Sequence, residues 1–228
     1  MNPYAPPSLT ALPTSLPVFP LNVLLLPGAF LPLNIFEPRY LAMIRRVLGS
    51  HRLIGMVHPA DDSAAPTLLP LGCAGKIVRF EESTDGRFEI VLAGVSRFAI
   101  RQEEPLDAGG FRRVQPDWTP YAAVDTASDD DDFALDRPAI AAALQDCLRH
   151  QSLQLNAKAL ERLPNAEFLR VTAMNSPLPA FERQMLLATS DPGERAEQLL
   201  ALLDAARTIM RAAATDGDAD EGASAGDR

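Results

Sequence analysis

The sequence predicts an α+β protein: a curled, partly closed β-barrel with one early helix, followed by a C-terminal helical bundle. Three observations carry that prediction. Between Leu16 and Val124 the apolar residues fall in short runs parted by Pro, Gly and Asp-Gly, the pattern of strands and tight turns. One stretch within that region, after Phe36-Glu37, changes to a helical period. From Ile140 to Met210 the helical period returns and persists. Strands grouped in this way, rather than alternating with helices, argue against a parallel doubly wound sheet.

The elements follow in order. PVF and VLLL read as β-type runs ahead of Pro27-Gly28. That pair suits the centre of a type II turn, because proline presets φ and glycine supplies φ > 0. FLPLNIF resumes as a strand, and Pro32, with no N–H to give a ladder, places it at an edge or a bulge. Pro38 suits the first position of a helix, with Glu37 beside its positive end. Leu41, Ile44, Val47 and Leu48 mark one helical face, and Gly49 is a fitting residue to end it. RLIGMVH and GCAGKIVRFEES are two further strands. Asp85-Gly86 turns the chain into RFEIVLAGVSRFAIRQEE, where Gly94 signals a bulge or sharp bend. FRRVQPDW and the run to Val124 add one or two edge strands. In the helical half, Ile140, Leu144, Cys147 and Leu148 share a face. AEFLRVTAM and PAFERQMLLAT are shorter segments. Asp191-Pro192-Gly193-Glu194 marks a strong helix start, with Leu199, Leu203, Ala206 and Met210 along the helix that follows.

Composition sets the expected boundaries. Residues 1–15 are rich in proline and serine and predict a flexible arm. A β domain spans 16–124, and SDDDDF marks an acidic linker at 125–135, since four adjacent aspartates repel one another. A calcium loop is the alternative for that run, but the interleaved residues and glycine it needs are missing. A helical domain covers 136–212, and the small, acidic residues 213–228 predict a disordered tail.

The same numbers exclude several function classes. The net charge of −9 argues against a nucleic-acid partner, whose phosphates demand basic surface. Pro20, Pro27, Pro32, Asn22 and Asn34 interrupt every window of about 20 residues that could cross a bilayer, so no membrane partner is expected. No Lys or Arg precedes Arg39, so no signal-peptide n-region is expected either. Cys73 and Cys147 lie within apolar segments and read as reduced core thiols of a cytoplasmic protein.

LPVFPLNVLLLPGAFLPLNIFEPRYLAMI resembles the opening signature of the N-terminal, substrate-binding domain family of Lon proteases, in the form carried by stand-alone bacterial proteins. The pieces that carry the resemblance are Phe19-Pro20-Leu21, Pro27-Gly28, Pro32-Leu33 and Phe36-Glu37 followed by Arg39-Tyr40. GCAGKIVRFEES, FEIVLAGVSRFAIR and the terminal ERAEQLLALLDAAR are similar to later parts of that domain, so the likeness covers roughly residues 16 to 212. It implies a PUA-like β-barrel followed by a helical bundle. It also implies a non-catalytic module that binds unfolded or extended polypeptide, or a protein partner, in protein quality control.

The family's catalytic modules have no counterpart to carry over. No G-x-x-x-x-G-K-[ST] loop occurs, because Gly75-Lys76 continues as Ile-Val within a strand. A Ser-Lys dyad would have to use Lys76 or Lys158, and neither context would lower a lysine pKa. Gly94-Val95-Ser96-Arg97 fails the G-x-S-x-G elbow at its last position. His51 and His58 flank one strand near Asp61 and Asp62, a thin basis for metal, so neither metal nor cofactor is expected. The alternatives are an enzyme with an unrecognised site and an RNA-binding PUA-like protein. For polypeptide, the candidate residues are Phe30, Leu33, Ile35, Phe36 and Tyr40. Most such side chains belong to a core; the functional reading has some of them lining a groove between barrel and helices.

Overall fold

The computed structural model describes residues 12–125, 131–149, 151, 153 and 156–223. Its β half holds β1 (Leu16–Pro20), β2 (Phe30–Ile35), the helix α1 (Pro38–Leu48), β3 (Leu53–Pro59), β4 (Leu68–Glu82), β5 (Phe88–Glu103) and β6 (Arg112–Asp117). The strands form one sheet in the order β2-β5-β4-β3-β1-β6, and β5 pairs with β6 as well. Five strands therefore close into a ring, while β2 stands outside it on the first half of β5. This is a curled sheet rather than a clean barrel. The strands β4 and β5 serve both arrangements because they are long and bulged, with register shifts at Ala74/Gly75 and Ile77/Arg79.

Alternation along the strands makes two cores. Inside the ring lie Leu16, Val18, Leu53, Val57, Ala74, Val95, Phe98 and Val114. The Phe98 ring fits there because Gly55 and Gly72 face it: a Cβ on either would stand 2.7 or 2.6 Å from its Cζ. The outer face carries Phe19, Ile54, Met56, Leu71 and Cys73, packed with Met43, Ile44 and Val47 of α1. That cluster continues into the helical half: α2 (Ala122–Asp125), α3 (Arg137–Arg149), α4 (Ala157–Glu161), α5 (Asn165–Met174), α6 (Ala180–Ala188) and α7 (Pro192–Ala223). Leu144, Phe168, Leu186, Leu199 and Leu203 complete it, so sheet and helices share one core.

Local signals settle local structure. Gly28 has φ 76°, and Ala29 N–H bonds Leu26 C=O at 3.1 Å, closing the expected turn. Gly86 has φ 81° at the tip of the β4–β5 hairpin. Asp191 Oδ1 accepts the Glu194 N–H at 2.8 Å at the start of α7.

Five expectations change. The run VLLL is not a strand; Leu24, Leu25 and Leu26 are buried in the connection between β1 and the turn, where apolar burial needs no ladder. Gly49 has φ −80°, and α1 ends instead with Ser50 and Arg52 N–H both bonding Val47 C=O, Arg52 taking φ 59°. The strand β6 is not an edge, since it bridges β1 and β5. Helix α7 runs on to Ala223 through acidic residues, because extending a formed helix is cheaper than starting one. The fifth is the run to Val124, which ends in the short helix α2 rather than in an edge strand. Of the expected acidic linker, residues 126–130 lie outside the described residues; on one side of them the Asp125 side chain is buried, and on the other Asp131 accepts the Ala166 N–H at the start of α5 at 2.8 Å. Of the expected arm, residues 1–11 lie outside the described residues. Pro13 C=O accepts Trp118 Nε1–H at 3.1 Å.

Asp125 is buried because Arg97 is. The Arg97 guanidinium on β5 forks onto Asp125 Oδ1, with Nε at 3.0 Å and Nη2 at 2.8 Å, while its backbone N–H bonds Oδ2 at 2.7 Å. Nη1 donates to the carbonyls of Leu187, Ala188 and Thr189 at 3.0–3.3 Å, where α6 ends. A cation suits the negative end of a helix. The Tyr121 ring covers the guanidinium at 4.6 Å. One side chain thus ties the ring, the chain leaving it and the helical half.

Candidate functional site: the outer strand

Among the described residues β2 has a strand neighbour on one side only. The turn before it fixes which way its backbone faces. Gly94 N–H bonds Ala29 C=O at 2.8 Å, so by alternation Leu31, Leu33 and Ile35 address β5 with their backbone groups. Pro32 and Asn34 turn theirs to the side where no described strand lies. Pro32, which has no N–H, therefore costs the β2–β5 ladder nothing.

The side chains alternate as well. Phe30, Pro32 and Asn34 are exposed, Leu31 and Ile35 are buried, and Leu33 is half-buried. Beside the exposed row lies a recess of about 320 Å³, bounded by Pro32, Leu33 and Asn34 with Glu89 and Val91 of β5 and Arg79 of β4. Phe36, directly after the strand, is 64% exposed. A large aromatic left in water beside an open strand edge is an arrangement suited to receiving a chain.

Of the five residues singled out from the sequence, the structure brings Phe30, Leu33 and Phe36 to this surface. Ile35 and Tyr40 are buried away from it. Ile35 pairs with Phe88 and faces inward. Tyr40 lies on the face of α1 that carries Met43, Ile44 and Val47; it stacks on Phe19 with centroids 4.1 Å apart, under the Arg39 guanidinium. Burial raises its pKa, in spite of the neighbouring Arg39. Glu37 and Arg39 bond each other at 2.8 Å beside the helix start. The recess lies on the sheet's outward face. Arg79, Glu89 and Val91, which sequence reading missed, reach it through strand register, and no local signal carries register.

His51 Nδ1 accepts the Leu53 N–H at 3.0 Å. Among the described residues no cluster of three or more His, Cys, Asp or Glu is placed to hold an ion. His58 is buried at the seam between β3 and α6, and among the described residues neither ring nitrogen has a partner in full hydrogen-bond geometry, Gln184 being its nearest polar neighbour from α6. Burial pushes its pKa down to about 4, with the Arg183 cation adding to the effect and Gln184 opposing it. His58 is therefore neutral in the folded protein at pH 6.5, the ordinary histidine value. Below that pH the unfolded chain takes up a proton that the folded one refuses. Stability is full above pH 6.5, falls between 6.5 and 4, and levels off below. The loss through this residue is about 3 kcal/mol. Urea unfolding at stepped pH checks this: His58→Leu should flatten that part of the profile, and an unchanged slope would contradict it.

Comparison with known proteins places the chain. The family model for the ATP-dependent protease La (LON) substrate-binding domain matches residues 15–205. The chain belongs to the Lon substrate-binding domain family. A crystal structure of a Lon N-terminal domain protein from Xanthomonas campestris is 30% identical and has a TM-score of 0.53; the match covers 82% of this chain and 98% of that one. Lon protease 2 of Myxococcus xanthus is 24% identical across 91% of this chain, and Lon protease of Anaeromyxobacter dehalogenans is 26% identical across 88%. The chain spans about a quarter of the length of those two proteases: 26% and 24%. What this Lon-family domain shares with them is the substrate-binding portion. Among its described residues no helix is long and apolar enough to cross a membrane.

Proposed function

We propose that this Lon substrate-binding domain recognises extended or unfolded polypeptide along the open side of β2, as a cytoplasmic module with no bond-breaking step of its own. The observation that carries the reading is the open strand edge at Pro32 and Asn34, ending at the exposed Phe36. A client strand laid there would meet the C=O of Pro32 and both backbone groups of Asn34, and could seat side chains in the recess and against Phe36. Backbone pairing reads no particular sequence, which suits a domain that takes many clients. Membership of a family named for substrate binding supports a role tied to proteolysis. The free, buried thiols Cys73 and Cys147 fit a reducing compartment.

Such a surface is small, so a denatured model protein such as casein should bind with roughly micromolar affinity. The affinity should change little with salt. Phe36→Ser should weaken it about tenfold, as loss of an aromatic anchor does, and Asn34→Pro should weaken it by removing the donor at the edge. Binding untouched by both variants would overturn the site. Turnover of ATP or casein above a heat-killed control would overturn the non-catalytic assignment.

A further inference from the structure

A second concavity shares no residue with the β2 recess. It is a cleft of about 580 Å³ where the end of β1, the first turn of α1, the β3–β4 loop and the β5–β6 loop meet. Its volume is in the range of sites that hold side chains or small ligands. Its walls include Pro20, Pro59, Pro66, Tyr40 and Phe111, which are stiff and mostly apolar, and Leu106 at the rim is 65% exposed.

The charges around this cleft are unequal in availability. Arg112 forks onto Glu103 with two bonds of 2.6 Å and gives a third to Pro66 C=O. Arg39 is held by Glu37. Both cations of the lining are committed, and so is Glu103. Asp61 and Asp62 are exposed on the β3–β4 loop, and neither has an ion-pair partner among the described residues; Asp61 Oδ1 accepts the Ser63 N–H at 2.9 Å, and its carboxylate is met besides by the Ser63 side chain and the Thr67 backbone, all of them neutral donors. Apolar walls with a mouth of uncompensated negative charge favour one kind of occupant: an apolar group adjoining a cation.

We propose that this cleft is a second polypeptide subsite, which takes client segments where a lysine or arginine adjoins a proline, leucine or aromatic residue. The apolar residue packs between Tyr40, Phe111 and the prolines, and the cation meets Asp61 and Asp62. The inference rests on the polypeptide-binding reading and adds to it a preference for basic-apolar segments. The two surfaces differ in physics: backbone pairing at β2 is indifferent to salt, whereas the acidic mouth is screened by it.

Fluorescence anisotropy with two labelled ten-residue peptides tests this. One carries Leu, Pro and Phe with two lysines; the other has glutamate at both lysine positions. Asp61→Asn with Asp62→Asn removes the charge and leaves an acceptor for the Ser63 N–H, so the loop keeps its shape. The basic peptide should bind wild type, and lose about five- to tenfold on the double substitution, the size of two exposed ion pairs. Raised salt should weaken it comparably, Leu106→Lys should weaken it, and Phe36→Ser should not. The acidic peptide should bind more weakly throughout. Equal binding of both peptides, or of the basic peptide to both proteins, would overturn the proposal. If denatured casein then still bound in a Phe36-dependent manner, the β2 reading would stand alone; loss of casein binding as well would remove both.

Discussion

Arg97→Met should lower the folding stability by about 3–5 kcal/mol, the range for removing one partner of a buried ion pair. The substitution leaves the Asp125 carboxylate, only 3% exposed, without its bidentate partner, and takes the Arg97 donor from the Leu187 and Ala188 carbonyls at the end of α6, while the Thr189 carbonyl keeps Arg195. Arg97→Lys should recover only part of this, because a point charge cannot fork onto Asp125 and reach α6 together. Replacing Asp125 as well, with leucine, should restore some of the loss by removing the stranded charge. Urea denaturation of the four proteins checks the series. A loss below about 1 kcal/mol for Arg97→Met would mean that water reaches the pair, as in an exposed salt bridge.

Gly94→Ala should be the most damaging single-methyl change in the sheet. A Cβ there would stand 2.1 Å from the Leu26 carbonyl oxygen and 2.9 Å from its carbon, both backbone atoms. The turn cannot step aside cheaply. Gly94 N–H bonds Ala29 C=O at 2.8 Å, and Gly28 N–H bonds Gly94 C=O at 3.0 Å, so any retreat breaks the zipper that attaches β2 to β5. The expected cost is at the upper end of overpacking, about 3 kcal/mol. Gly86→Ala is the control. That glycine has φ 81° and open space around it, so alanine meets only left-handed strain of about 1 kcal/mol. Thermal unfolding should rank the two clearly, and equal losses would show that the approach at Gly94 relaxes freely. Gly94→Ala should also weaken casein binding in whatever fraction stays folded, because it loosens the strand that carries the site.

What the sequence made legible follows from how far each interaction reaches. Pro27-Gly28, Asp85-Gly86 and Asp191-Pro192-Gly193-Glu194 act within four residues, and each folds as its local chemistry dictates. The run VLLL misleads because burial by helices and burial in a sheet leave the same apolar trace. The strand β6 reads as an edge because its partner β1 lies about a hundred residues away, and nothing local marks ring closure. Asp125 looks like the start of an acidic linker until the arginine 28 residues earlier comes into view. The same limit governs the candidate site. Pro32 signals an open edge by itself, and Phe36 is conspicuous in sequence. Ile35 could be assigned inward from alternation along β2, while Tyr40 needed the orientation of α1. Neither the recess partners on β4 and β5 nor the four-segment cleft has a sequence signature, since both are products of register and loop meeting.

The ring's closure also sets the order in which a chain leaving the ribosome can assemble. β1 emerges first, yet its two neighbours are β3, beyond the β2–α1 excursion, and β6, which starts at Arg112. Until β6 arrives, β1 has an open flank of its own, and the ring interior around Phe98 lacks a wall. Arg97 waits longer still, for the carbonyls at Leu187 to Thr189. Pairings this remote in sequence make for slow folding and for partly built states that expose strand edges. On the function proposed above, a protein that holds other unfolded chains passes, during its own synthesis, through a stage in which it resembles a client.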